Sequence, residues 1–246
     1  MGAQTEAKKK VVVFDPAGRS RTLLGKLLIQ MGYQVELRDN TAGFPPEDSG
    51  ADLLILNLAG LGKRYQDIVA ALQKMGLAGR TQPPLLALTT LALSEEARSR
   101  LADLGVRNLL AHDAPWMELL FAINRLLFPK IRELRRYTRV FGGFPVQFKG
   151  AADWCQGEVY NLSQEGAFIQ CDLPPPEGSR LQVRFSLPGT DSSIEVSALV
   201  NWINDPSGGP TAPPGIGVNF LTLDAQGADS LARFIAGRIN GSDPSP

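Results

Sequence analysis

The sequence predicts two domains of different class. Residues 9–128 read as an α/β domain with a parallel sheet covered on both faces, and residues 129–240 as a mainly-β barrel with a C-terminal helix; 241–246 read as a disordered polar tail. Three observations lead there. Up to Phe128, short continuous apolar runs alternate with helix-period stretches, the pattern of strands buried on both faces by helices. After Pro129, apolar and polar residues alternate singly and Gly/Pro clusters punctuate them, the pattern of antiparallel strands. Charge changes at the same place. Lys130, Arg132, Arg135, Arg136 and Arg139 stand against the single acid Glu133, whereas from Val140 onward five basic residues face eleven acidic ones.

The elements follow in order. Val11–Phe14, Leu53–Leu56, Leu85–Leu88 and Leu109–Leu110 are strand candidates. Leu23, Leu24, Leu27, Leu28 and Met31 recur at helical spacing, as do Ile68, Ala71, Leu72 and Met75. Ser94 before Glu95 and Glu96 is an N-cap with acids in the first turn of a helix that ends before Gly105. Met117–Leu127 closes the domain. In the second half, Val146/Phe148, Val159, Phe168, Leu181/Val183/Phe185, the series Ile194/Val196/Ala198/Val200/Trp202, and Gly215–Phe220 read as strands. Asp224–Ile239 reads as an amphipathic helix with Leu231, Phe234 and Ile235 on one face.

Composition narrows the function. Lys plus Arg and Asp plus Glu both total 25, and 43% hydrophobic with 20% charged residues is a globular balance. Zero net charge argues against coating nucleic acid, and no recognition-helix pattern accompanies the basic run, so no DNA partner is expected. One His and two Cys exclude a His-rich metal site, a zinc knot or a disulfide framework, and no metal or cofactor is expected. Without a signal-like or membrane-length apolar run, the expected location is the cytoplasm, with Cys155 and Cys171 reduced. No nucleophile–base pair is evident, and Gly60-Leu61-Gly62-Lys63 is too short for a phosphate loop, so no enzymatic activity is expected.

Val-Val-Phe-Asp-Pro at 12–16, Ala-Asp-Leu-Leu-Ile-Leu-Asn at 51–57 and Leu-Ala-Leu-Thr-Thr at 86–90, within five strand–helix repeats, resemble the response-regulator receiver domain. The resemblance implies a flavodoxin-like sheet and a phosphoacceptor site, and this chain departs from the latter residue by residue. The acceptor falls on Asn57, the acidic pair on Phe14 and Asp15, the Lys position on His112, and only Thr89 is kept. An amide is a poor nucleophile, one carboxylate is a poor Mg²⁺ site, and an apolar ring at Phe14 stands where a hydrated dication belongs. The expectation is a pseudo-receiver that scaffolds, by homodimerisation or by docking a protein partner. Weak cation binding by Asp15 and Asn57 is the minor alternative. His112 reads as a structural or surface residue.

Arg135-Arg136-Tyr137-Thr138-Arg139, an Arg-x-x-x-Arg directly before a strand, and Asn161-Leu162-Ser163-Gln164-Glu165-Gly166, an Asn-x-Ser-x-x-Gly between strands, together resemble the PilZ domain, the bacterial receptor for cyclic di-GMP. The resemblance spans about residues 131–239. It implies that Arg135 and Arg139, with Arg136 assisting, clamp phosphate and guanine, and that Asn161, Ser163 and Gly166 read the base. The residue chemistry agrees: guanidinium forks suit phosphate oxygens and guanine O6/N7, the Asn and Ser side chains offer donors and acceptors, and Gly166 permits a positive-φ turn and close approach. Asn161 and Ser163 also fit simple closure of a hairpin. Leu134, unlike an Arg, cannot stack on a second ligand, so one ligand per domain is expected. The expected mechanism is a ligand that neutralises the mutually repelling arginines, draws the hinge across the barrel and reorients the pseudo-receiver toward a protein partner. The resemblance places the output in motility, pili or exopolysaccharide control. The alternative is a ligand-independent adaptor with both domains degenerate.

Overall fold

The structure, a computed structural model, describes residues 8–40, 50–77, 83–129, 137–150, 153–190, 193–204 and 213–240. Two compact units divide the chain, Met1–Pro129 and Lys130–Pro246. The expected tail at 241–246 lies outside the described residues.

In the first unit, strands β1 (Lys10–Phe14), β2 (Gln34–Arg38), β3 (Leu53–Asn57), β4 (Leu85–Thr89) and β5 (Asn108–Ala111) form one sheet in the order β2-β1-β3-β4-β5. Each neighbouring pair is parallel. This is the flavodoxin-like order, in which the chain reverses between β1 and β3 and leaves a crevice at the strands' carboxyl ends. Alternation along the strands supplies both layers. Val12, Phe14, Leu54, Leu56 and Ala87 form one buried cluster with Ile68 and Leu72 of α2 (Tyr65–Met75) and Leu101 of α3 (Glu95–Asp103). Helices α1 (Gly18–Gln30) and α4 (Trp116–Leu127) bury Leu24, Leu28, Leu120 and Ile123. Ser94 caps α3 as expected, its Oγ accepting from the Ala97 amide at 3.2 Å.

Strand β2 was not individually legible in the sequence. It is an edge strand whose five residues are all at least partly exposed, so no continuous apolar run marks it. Its neighbours fix it instead: Lys10 and Arg38 both pair with Glu36, at 3.0 and 2.7 Å.

The second unit is a closed antiparallel barrel of β6 (Val140–Lys149), β7 (Cys155–Ser163), β8 (Gly166–Gln170), β9 (Arg180–Ser186), β10 (Ser193–Asn204) and β11 (Gly215–Thr222), in the order β10-β11-β8-β7-β6-β9, with β9 returning to β10. Val146, Phe148, Val159, Ile169, Val183, Phe185, Val196 and Val218 fill the interior. Helix α5 (Ala225–Asn240) contributes Leu231 and Ile235 to that core, and its Phe234 meets Phe144 edge-on at 5.9 Å.

Strict alternation fails at two predicted positions. A bulge between Val200 and Trp202 sends the indole outward, 39% exposed, whereas Val200 points in. Phe168 likewise lies on the face opposite its core neighbours Ala167 and Ile169, yet it is buried, because other aromatic rings cover it.

Candidate functional site

Two groups of residues concern function, one in each unit. In the first, the five positions singled out by sequence gather at the carboxyl ends of the strands. Phe14 ends β1 and Asp15 follows it, Asn57 ends β3, Thr89 ends β4, and His112 follows β5. The register of the parallel sheet brings them together. Their contacts are internal. Asn57 Nδ2 donates to Asp15 Oδ1 at 3.0 Å, and Asn57 Oδ1 accepts from the Ala59 amide at 3.0 Å. An amide donor thus faces the carboxyl group that a cation would need. Asp15 also accepts from the Ala17 amide at 2.9 Å, and its Oδ2 is buried without a hydrogen-bond partner. Phe14 differs from expectation: its ring belongs to the core cluster rather than to an open crevice, with the Arg38 guanidinium 5.4 Å from its centroid. Thr89 Oγ1 accepts from the Leu91 amide.

His112 has a neighbour that sequence reasoning missed. Ser20 Oγ lies 3.1 Å from its Nε2, on the wall of an apolar groove between α1, β5 and α4. The two residues are 92 positions apart, and no local motif announces them. Among the described residues no acid holds the other ring nitrogen, so the pair lacks the third member of a nucleophilic triad.

In the second unit, Arg139 leads directly into β6 and Asn161 lies in β7, and Arg139 Nη1 donates to Asn161 Oδ1 at 3.1 Å. The antiparallel pairing of Phe141 with Asn161 creates this meeting across 22 residues. With its oxygen engaged by Arg139, the Asn161 amide keeps its N–H groups as its donors. A bulge between Val159 and Asn161 re-aims both Tyr160 and Asn161 relative to β8.

Ser163 and Gly166 pair at the mouth of the β7–β8 hairpin, and Ser163 Oγ donates to the Gly166 carbonyl at 3.2 Å while 5% exposed. In this geometry the hydroxyl closes the turn, the simpler of the two sequence readings. Gly166 is not at positive φ, contrary to expectation. Its requirement is close approach: a Cβ there would run into the Val218 carbonyl of β11. Arg135 and Arg136 lie outside the described residues.

The comparisons divide along the same line as the chain. Residues 133–237 match the PilZ domain family. Among solved structures, the inhibitor of motility MotI/DgrA from Bacillus subtilis is 23% identical, over 44% of this chain and 53% of that one, with a TM-score of 0.38. This chain therefore covers about half the length of that protein. The PilZ domain of YcgR from Escherichia coli, solved with c-di-GMP, is 20% identical, over 44% and 94% of the two chains, with a TM-score of 0.35. The chemotaxis protein CheY4 from Vibrio cholerae is 22% identical, over 49% and 100%, with a TM-score of 0.39. No curated protein matches the chain.

Proposed function

We propose, because residues 133–237 match the PilZ domain family, that this chain is a receptor for cyclic di-GMP that acts by binding rather than by catalysis. The observation that carries the reading is the Arg139–Asn161 hydrogen bond at 3.1 Å, which joins the two sequence motifs at one point of the barrel wall. A guanidinium and a primary amide side by side offer parallel N–H donors to phosphate oxygens and to a guanine edge. Arg135, with Arg136 assisting, supplies further cations from the preceding segment, and Ser163 and Gly166 set the turn that holds Asn161 in place.

The proposed mechanism is an ordering step. Five basic residues between 130 and 139 repel one another until the ligand's two phosphates neutralise them and draw the segment onto the barrel. The receiver-like unit is thereby re-presented to a protein partner or a second copy of the chain, in the cytoplasm, with motility, pili or exopolysaccharide as the sphere of output. The receiver-like unit itself acts as a scaffold: Asn57 at the acceptor position, bonded to Asp15, favours a unit that takes no phosphoryl group and no Mg²⁺.

Calorimetry tests this reading. The intact chain is titrated with cyclic di-GMP beside the double variant Arg135→Ala/Arg139→Ala. Heat is expected from the first, with affinity weakened at least tenfold for the loss of either arginine, about 1.5–3 kcal/mol per charge-assisted contact. The affinity is expected to fall with added salt. No heat from the intact chain overturns the receptor and leaves the ligand-independent adaptor, a reading favoured by the internal use of the Ser163 hydroxyl.

A further inference from the structure

The first unit carries a groove of about 560 Å³ between α1, β5 and α4, a size that suits a small-molecule ligand. On α1, Ser20, Leu23, Leu24 and Leu27 line it at i, i+3, i+4 and i+7, so it follows one helix face for about 10 Å. Leu88 of β4 and Leu119 of α4 add to the apolar wall. Part of that wall is still wet: Leu23 is 61% exposed and Trp116, at the start of α4, is 50% exposed.

The polar groups of the groove gather at one end. Ser20 begins the α1 face, and His112 continues the line of Leu110 two residues on, past the end of β5. Ser20 Oγ and His112 Nε2 meet at 3.1 Å. They lie at the carboxyl ends of the strands, the edge at which open α/β sheets bind ligands. A hydroxyl and a neutral imidazole carry one proton donor each, and their mutual bond uses one of the two. The second is left over. Arg19, exposed, stands beside Ser20 at the same end, and no acid is among the described residues that line the groove. The groove is therefore cationic and donor-bearing at its head and apolar along its length.

We propose that this groove binds a small amphipathic carboxylate, its head held by Arg19, Ser20 and His112 and its aliphatic tail laid along the leucines of α1. Charge complementarity selects the head, since a guanidinium and a neighbouring neutral donor suit the two oxygens of a carboxylate. The apolar wall selects the tail, because covering Leu23 takes apolar surface out of water. A head with a tail behind it matches polar groups that sit at one end and not along both rims. The site uses none of the residues proposed to hold cyclic di-GMP and does not depend on that reading.

The test titrates sodium octanoate into the full chain carrying Trp154→Phe and Trp202→Phe, so that Trp116 at the groove is its single tryptophan. A saturable change in Trp116 emission with one octanoate per chain is expected. Octan-1-ol, which keeps the tail and lacks the charge, is expected to bind at least tenfold more weakly, and acetate, which lacks the tail, not to saturate. Arg19→Ala and Ser20→Ala are each expected to weaken octanoate about tenfold and to leave octan-1-ol unchanged. Leu23→Asp, at an exposed position, is expected to abolish both. Trp116 emission unmoved by octanoate overturns the proposal, as does octan-1-ol binding as tightly as octanoate, or Leu23→Asp binding like its parent. If octanoate fails and Leu23→Asp splits a dimer of the chain, the groove is an interface between copies and the proposal falls. Should the double tryptophan variant fail to fold, calorimetry of octanoate with the unmodified chain and with Arg19→Ala makes the same comparison.

Discussion

At the level of single residues, the buried polar groups carry the sharpest consequences. Asp15 is 1% exposed and depends on the Asn57 amide and the Ala17 amide for its hydrogen bonds. Asn57→Ala removes one of these without giving the carboxyl group access to water. A loss of about 1–3 kcal/mol is expected, measured by urea denaturation of the full chain. The two cysteines differ as sharply. Cys155 is exposed, whereas Cys171 is buried and its thiol is pushed up to about 11, by burial first and then by the nearby Asp172 and Cys155. Since the thiolate is the nucleophile, iodoacetamide is expected to modify Cys155 alone in the native protein and both cysteines in denaturant, as read by mass spectrometry.

Among the elements, β2 shows how an edge strand is held without an apolar run. Its Glu36 bridges Lys10 of β1 and Arg38 of its own strand. Hydrogen bonds from Lys10 and then Arg38 hold the Glu36 carboxyl below its ordinary 4.5. Asp52, just before β3, is also lowered: burial opposes the ionised form, but the bonds from the Lys9 ammonium and the Lys10 amide together outweigh it. A carboxyl depressed in the folded state contributes stability that is fully present above its unfolded value and lost as pH falls through the folded one. The melting temperature of the first unit is therefore expected to drop as pH falls below about 4.5, and Glu36→Gln to flatten that drop. Differential scanning calorimetry at stepped pH checks both.

For the molecule as a whole, each of the two compact units has a buried core of its own. Phe148 is 1% exposed and belongs to the barrel core. Phe148→Ala is expected to destabilise the second unit by about 3–5 kcal/mol. Hydrogen exchange of the full chain checks this: protection in β6–β11 should fall while the amides of Val11–Val13 keep theirs. A uniform loss across both units would contradict two cores.

The sequence by itself determined both fold classes, because a core imposes its period on the chain. Unbroken runs such as Leu53–Leu56 need helices on both faces, and Leu181, Val183 and Phe185 need one wet face and one dry. It also carried the motif pair around Arg139 and Asn161, since a clamp requires particular side chains at fixed offsets from a strand. Only the tertiary structure decided which of these groups meet. Arg139 reaches Asn161 across 22 residues through strand pairing, Ser20 finds His112 across 92, and Ser163 turns its hydroxyl inward onto Gly166. Trp202 escaped the period altogether, because a bulge is one extra residue on one strand and becomes visible only against the partner strand it no longer matches.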